Sequence, residues 1–227
     1  MTPPVAATVT PLAAALAEAE NTAMFVQTAK DTLAETRSKL QDSLAKDVAI
    51  EVLIGQYRDV IDTLVKAAWQ RHMPANTGMA LVATGGYGRG ELYPHSDIDL
   101  LLCGDAEAQA EAAAAIAAMY SLLWDCGLKL GQAVRSVEQC MQESRADVAT
   151  YTSLLETRLL AGDSRQYLDL QRAVHSPDVY DSLAYFEAKR NEQRQRHAKY
   201  NNTADNLEPN IKEGPGGLRD FHTLNWL

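Results

Sequence analysis

The stretch TGGYGRGELYPHSDIDLLL, Thr84 to Leu102, decides how this chain reads. Its second half, DIDLLLC from Asp97 to Cys103, is a short apolar run that stops at Gly104 and reads as a buried strand. On a strand, residues two apart point to the same face, so Asp97 and Asp99 project together while Ile98 and Leu100 go to the other side. Two unit charges about 4 Å apart repel by roughly 4 kcal/mol at an effective dielectric of about 20. An apolar strand keeps such a pair where a cation sits between the carboxylates, and carboxylate oxygens suit magnesium or manganese. The bland alternative is a solvated acidic turn at a strand end.

The first half strengthens the metal reading. Gly85 and Gly86 follow a second apolar run, Met79 to Thr84, also read as a strand, and let the backbone approach a ligand closely. Successive backbone N–H groups at such a bend can cradle phosphates. Arg89 adds a planar cationic fork suited to phosphate oxygens, and Ser96 places a hydroxyl beside the first carboxylate. Other phosphate-binding patterns fail on detail. The Walker motif needs GK followed by Ser or Thr, whereas Glu91 follows Gly90. The dinucleotide fingerprint opens directly into a helix, whereas here Pro94 and a strand follow.

Working outward, Leu12 to about Met73 has helical text. Val48, Val52, Leu53, Val60, Ile61, Leu64 and Val65 fall mostly three and four apart, as one buried face requires. Residues 1 to about 11 hold three prolines and are expected to be loose. Asp105 is placed to cap an Ala-rich helix ending at Gly127. Leu128 to Val137 reads as a third strand, Glu138 to Ala161 and Asp163 to Val174 as helices, and Asp178 to Tyr200 as a longer charged helix. After the loop NNTADNLEPNIKEGPGGLRD, a last helical pattern sets Leu218, Phe221, Leu224 and Leu227 on one side and stops without a cap. The expectation is an N-terminal piece of a longer protein, or a natural truncation, whose exposed last helix self-associates or stays disordered. The expected layout is an N-terminal helical region over 1–74, an α/β core over 75–140, and a helical segment over 141–227.

The whole-chain figures set the frame. With 227 residues, there is room for one sizeable domain or two small ones. A net charge of -9, from 30 acidic against 21 basic residues, argues against a general nucleic-acid binder. Cys103, Cys126 and Cys140 are an odd count with no CxxC pair, which argues against a zinc site or a disulfide framework. No basic residue precedes Lys30, unlike a secretory leader, and the longest apolar run, Ala112 to Trp124, is too short to span a bilayer. The expectation is a soluble, cytoplasmic protein with reduced thiols. None of the five histidines shows metal-ligand spacing, and none is followed by Asp.

A GG bend, roughly ten residues, then an apolar strand bearing DxD resembles the polymerase-beta type nucleotidyltransferase superfamily. The fuller string GGYGRGELYPHSDIDLL, with TSLLETRLLAGD (Thr152 to Asp163) and LEPNIKEGPGGLRDFHTLNWL (Leu207 to Leu227), is similar to the bifunctional PII-protein uridylyltransferase/uridylyl-removing family. Asp205 departs from the aromatic residue expected there. The resemblance implies transfer of a uridylyl group from UTP to a tyrosine of the PII nitrogen-regulatory protein, with release of pyrophosphate. It implies that Asp97 and Asp99 hold two Mg2+ (or Mn2+) ions and that Gly85, Gly86, Arg89 and Ser96 bind phosphates. It also implies a third carboxylate, for which Asp147 ranks first and Glu138 second, since Leu128 to Val137 contains no acid. The competing reading of Asp147 is a helix cap ahead of Val148. Lys212 and Arg219, flanking EGPGG, either meet nucleotide or PII, or belong to a structural turn. The basic run Lys189, Arg190, Arg194, Arg196 and Lys199 reads as a solvated face. The family's later HD phosphohydrolase and ACT domains are not visible, so no uridylyl-removing activity is expected of this chain. The alternatives are a nucleotidyltransferase with another donor or acceptor, and a non-catalytic nucleotide- or partner-binding module.

Overall fold

The computed structural model describes residues 6–227, with side chains from residue 9 onward. The loose segment expected at residues 1–5 lies outside the described residues. From residue 6 the expectation fails, because α1 spans Ala6–Ala17 with Pro11 inside it. Leu12 and Leu16, one turn apart, are buried there and pack α1 against α3, so tertiary burial overrides the proline's penalty.

The elements continue as α2 (Thr22–Leu44), α3 (Ile50–His72), β1 (Ala80–Ala83), α4 (Gly85–Gly88), β2 (Ile98–Cys103), α5 (Ala106–Asp125) and β3 (Leu130–Arg135). Then come α6 (Val137–Ala146), α7 (Val148–Leu155), β4 (Arg158–Gly162), α8 (Ser164–Val174), α9 (Ser182–Ala198) and α10 (Leu218–Trp226). They form two compact units. The first holds the chain up to Val137 together with Glu156–Leu170, and the second holds Glu138–Leu155 and Gln171–Leu227.

In the first unit the helical text divides into three. Asn21 caps α2 by accepting from the Met24 N–H at 2.9 Å, and Asp47, with φ 55°, marks the turn between α2 and α3. Leu53, Val60, Ile61, Leu64 and Val65 are buried on α3 as their spacing requires, while Val52 is half exposed. Asp105 caps α5 by accepting from the Ala108 N–H at 2.8 Å. The apolar face of α5 (Ala108, Ala112, Ile116, Met119, Leu123) is buried. Cys103, Cys126 and Cys140 are buried thiols outside any disulfide, and burial pushes the Cys126 thiol up to about 11.

The sheet is mixed, in the order β3-β2-β1-β4. β1 runs antiparallel to both β2 and β4, and β2 runs parallel to β3 through the α5 crossover. The three strands read from sequence are present. β4 is a strand where the sequence pattern predicts the end of a helix. Leu154, Leu155, Leu159 and Leu160 fit a helical interval, but β1 offers a free edge, and RLLAG pairs along it from Arg158, opposite Ala83, to Gly162, opposite Ala80.

The second unit is helical. Tyr151, Tyr180 and Tyr185 stack within 4.9–6.0 Å of one another, and the hydroxyls of Thr152 and Tyr185 lie 3.2 Å apart. The basic run on α9 is not wholly a solvated face. Lys189 and Arg196 are buried, and the Lys189 ammonium donates to Glu192 at 3.0 Å and lies 4.7 Å above the Trp226 ring. The last pattern forms α10, with Leu218, Phe221, Leu224 and Leu227 all exposed.

Candidate active site

Asp97 stands immediately before β2 and is exposed, Asp99 is half-buried within it, and Ile98 and Leu100 between and after them are buried. The strand thus alternates as DIDL requires, with the carboxylates away from the core. Two backbone bonds fix this end of β2. The Ile98 N–H donates to the Lys129 carbonyl at 2.8 Å, and the Thr84 N–H donates to the Asp99 carbonyl at 3.1 Å. The second bond matters most, because Thr84 is the last residue before the glycines. The bend therefore leaves β1 alongside Asp99.

Gly131 of β3 is the register partner of Asp99. A Cβ built on Gly131 would sit 2.1 Å from Asp99 Oδ1, so the carboxylate lies in the space that a side chain would fill. The space at Gly131 lets the Asp99 carboxylate lie against β3, and two carboxylates at this strand end are donors of the type that suits a hard divalent cation. Among the described residues no cluster of three or more His, Cys, Asp or Glu forms a fuller ligand set.

The bend is a helical turn, α4, with Thr84 as its N-cap and Gly85 at φ 56°. Gly88, Arg89 and Glu91 donate their N–H groups to the carbonyls of Thr84, Gly85 and Gly86 at 3.0, 3.0 and 2.9 Å. The N–H groups that open such a turn have no intrahelical acceptor. Gly88 meets the chain leading into β4 so closely that a Cβ would lie 1.9 Å from the Glu156 carbonyl oxygen.

Arg89 does not stand as an open fork. Its Nε donates to Glu91 at 3.0 Å and its Nη1 pairs with Glu156. Beneath the turn, the buried Tyr87 hydroxyl donates to Asp62 Oδ1 on α3 at 2.7 Å. Arg158 at the start of β4 grips the same carboxylate with both terminal nitrogens, at 2.5 and 3.0 Å, and lies 5.3 Å from the Tyr87 ring centre. Burial first, then the Asp62 charge and hydrogen bond, push the Tyr87 phenol well above its ordinary pKa and keep it a donor. Sequence reasoning missed Asp62, Arg158, Glu156 and Gly131. Two left a signal: Asp62 interrupts the buried stripe of Val60, Ile61, Leu64 and Val65, and Gly131 is a glycine inside a strand pattern.

Ser96 is half-buried in the turn before β2, where its N–H donates to the Tyr93 carbonyl at 3.0 Å. The remaining expected site residues lie in the second unit. Asp147, ranked first for the third carboxylate, caps α7. It accepts from the N–H groups of Ala149 and Thr150 at 3.1 and 3.0 Å and from the Thr150 hydroxyl at 2.8 Å. Burial works to raise its pKa, but the bonds from Thr150 and Ala149, with the Lys189 charge, hold it below the usual carboxylate range. Glu138 is exposed in the first turn of α6. Lys212 is exposed, and Arg219 donates to Glu213 at 3.1 Å.

The EGPGG loop is held by Asp220. Its carboxylate accepts from Gln193 at 3.0 Å, Arg196 at 2.7 Å, His197 at 3.0 Å and the Gly216 N–H at 2.8 Å. Burial works to raise the Asp220 pKa, but these bonds overcome it and hold the group well below the usual carboxylate range. A depressed folded-state pKa gives stability that is present above the unfolded value, about 3.9, and lost as pH falls through the folded one. Asp220→Ala is therefore expected to cost about 2 kcal/mol, because Gln193, the Gly216 N–H and one arm of Arg196 lose their acceptor while Arg196 keeps Glu192. In the parent chain, amide protection over residues 213–226 should hold above about pH 4 and fall below it. Hydrogen exchange across pH 2–7 checks both, and equal protection in variant and parent would refute the assignment.

The mixed sheet, its glycine turn and its carboxylate strand define a nucleotidyltransferase fold, and residues 61–161 match the family model described as "Nucleotidyltransferase domain". Residues 184–227 match "GlnD PII-uridylyltransferase". The chain is a homologue of the bifunctional uridylyltransferase/uridylyl-removing enzymes. It is 46% identical to that of Xanthomonas axonopodis pv. citri over 178 residues, 78% of this chain and 20% of the relative. It is 44% identical to that of Stutzerimonas stutzeri over 199 residues, 87% of this chain and 22% of the relative. The chain thus spans about a fifth of the length of the curated relatives it matches. A solved toxin–antitoxin structure with AMP-PNP covers 62% of this chain at 15% identity and a TM-score of 0.28, too distant to bear on function. No helix among the described residues is long and apolar enough to cross a membrane.

Proposed function

We propose that this chain transfers a uridylyl group from UTP to a tyrosine hydroxyl of the PII protein, releasing pyrophosphate, in the cytoplasm. The observation that carries the reading is the Thr84–Asp99 backbone bond, which brings the glycine turn alongside the carboxylate strand. The relatives' names support a uridylyl donor, and the family description matched over residues 184–227 supports PII.

Asp97 and Asp99 are the residues that would hold divalent cations, Mg2+ before Mn2+. Such ions neutralise triphosphate charge and lower the pKa of the incoming hydroxyl. Buried Ile98 and Leu100 anchor the strand so that the carboxylates do not drift. Gly131 sets the direction of Asp99. The opening N–H groups at Gly85 and Gly86 meet phosphate oxygens, with the Ser96 hydroxyl as a further donor. Arg89, engaged by Glu91 and Glu156, serves to brace the turn against β4. In-line attack of the tyrosine oxygen on the α-phosphorus then needs little beyond alignment and charge stabilisation.

Incubating the chain with PII, magnesium and labelled UTP should label PII, and ATP, CTP and GTP should each serve at least about tenfold less well, a difference of about 1.4 kcal/mol. Label that never leaves UTP would refute transfer. Equal use of all four nucleotides would refute the assignment of UTP as donor.

A further inference from the structure

We propose that Asp62, held between Tyr87 and Arg158, is a positioning residue that sets the glycine turn for the triphosphate. The inference rests on the reading of that turn and of Asp97 and Asp99 as the nucleotide site. It assigns work to three side chains, from α3, α4 and β4, that do not themselves touch nucleotide.

The turn has few anchors of its own. It is four residues long, three of them glycine, and glycine contributes no side chain to pack and loses the most backbone freedom on ordering. Tyr87 is its one substantial side chain, 1% exposed. What holds Tyr87 therefore helps to set, with the backbone bond from Thr84 to Asp99, where the N–H groups of Gly85 and Gly86 point.

Asp62 supplies that hold from below, accepting the Tyr87 hydroxyl bond at 2.7 Å. Arg158 completes it in two ways. Both its terminal nitrogens bind the Asp62 carboxylate, and its Nη2 also lies 3.4 Å from the Tyr87 carbonyl oxygen, on the backbone of the turn itself. Arg158 is moreover the register partner of Ala83, two residues before Gly85. One guanidinium thus refers the strand that enters the turn, the turn's backbone and the tyrosine beneath it to a single carboxylate on α3.

A generic structural polar cluster would stabilise the fold without regard to ligand. The arrangement here reaches the turn from α3 and from β4 and converges on the turn's own tyrosine and carbonyl. A buried carboxylate with a bidentate arginine and a phenol donor is also rigid, since each partner restricts the rotamers of the others. Preorganised donors raise affinity because binding need not order them.

The test is calorimetric titration of the 227-residue chain with magnesium–UTP, beside its thermal unfolding. Tyr87→Phe removes one oxygen and keeps the ring, and it is expected to weaken magnesium–UTP binding about tenfold while lowering the unfolding midpoint only modestly, since Arg158 still satisfies the Asp62 carboxylate. Asp62→Asn should weaken binding to a similar degree, and the double variant should bind no worse than Asp62→Asn alone, as expected when two groups act as one unit. Arg158→Lys, which keeps the charge and loses the bidentate grip, is the control should Asp62→Asn fold poorly, and it should also bind about tenfold more weakly. A parent that binds UTP and a Tyr87→Phe variant that binds it equally well overturn the positioning role alone. A variant that loses thermal stability but not affinity does the same. A parent that binds no nucleotide overturns the function proposed above, and this inference with it.

Discussion

Asp97→Asn together with Asp99→Asn is expected to lower transfer of label from UTP to PII by about 1,000-fold or more, equivalent to about 4 kcal/mol in the barrier. The substitution is nearly isosteric, so it tests charge and not shape. Asp97 is exposed and Asp99 only half-buried, and neither belongs to the apolar side of β2, where Ile98 and Leu100 are buried. Removing two like charges relieves repulsion in the metal-free chain. Its unfolding midpoint should accordingly stay the same or rise. Lost turnover with retained or raised stability separates a functional pair from a structural one. Magnesium should raise the parent's midpoint and leave the double variant's unchanged, since a ligand that binds only the native state stabilises it by mass action. If the double variant labels PII at the parent's rate, the carboxylates do not hold the catalytic ions and the site lies elsewhere.

The strand carrying Asp97 and Asp99 was legible because its chemistry and its period agree. Apolar residues alternate with acids over a few positions, a Pro94-containing turn precedes the run and Gly104 closes it. The same logic found β1, and the cap at Asp105 followed from residue type alone. β4 was not legible, since Thr152 to Gly162 satisfies a helical interval as well as a strand. The deciding fact was the open edge of β1, some eighty residues away. Asp147 shows the reverse case. Its place ahead of Val148 suits a helix cap on residue type alone, and the bonds from the Ala149 and Thr150 N–H groups form that cap. The Asp62–Tyr87–Arg158 contact joins three elements far apart in the chain, so no local pattern could pair them. What sequence did offer was an acid inside an apolar stripe, a sign that some partner had to be waiting for it.

Gly131→Ala carries the second large effect, and it separates geometry from charge. The residue is neither acidic nor polar, and it lies across the strand pair from Asp99. An alanine methyl would stand 2.1 Å from Asp99 Oδ1 and 3.2 Å from its Cγ, whereas the nearest Asp99 backbone atom is 3.6 Å away. The collision therefore falls on the movable end of a side chain, and rotation of the carboxylate can relieve it without moving the sheet. Gly131 has no left-handed φ to protect, so alanine also narrows the unfolded ensemble at no backbone cost, a gain of about 0.4–1 kcal/mol that offsets the strain. Net stability should change by less than about 1 kcal/mol. Activity should not be spared. A displacement of about 1 Å at a charge-holding atom is enough to lower turnover about 100-fold. Steady-state transfer assays on Gly131→Ala, run beside denaturant unfolding, check both halves. Adding Gly131→Ala to Asp99→Asn should cost little further activity, because the group it displaces is already disabled. Full activity in the single variant would show that Asp99 works from a position that Gly131 does not set. Equal, additive losses in the two backgrounds would show that Gly131 acts on something other than that carboxylate.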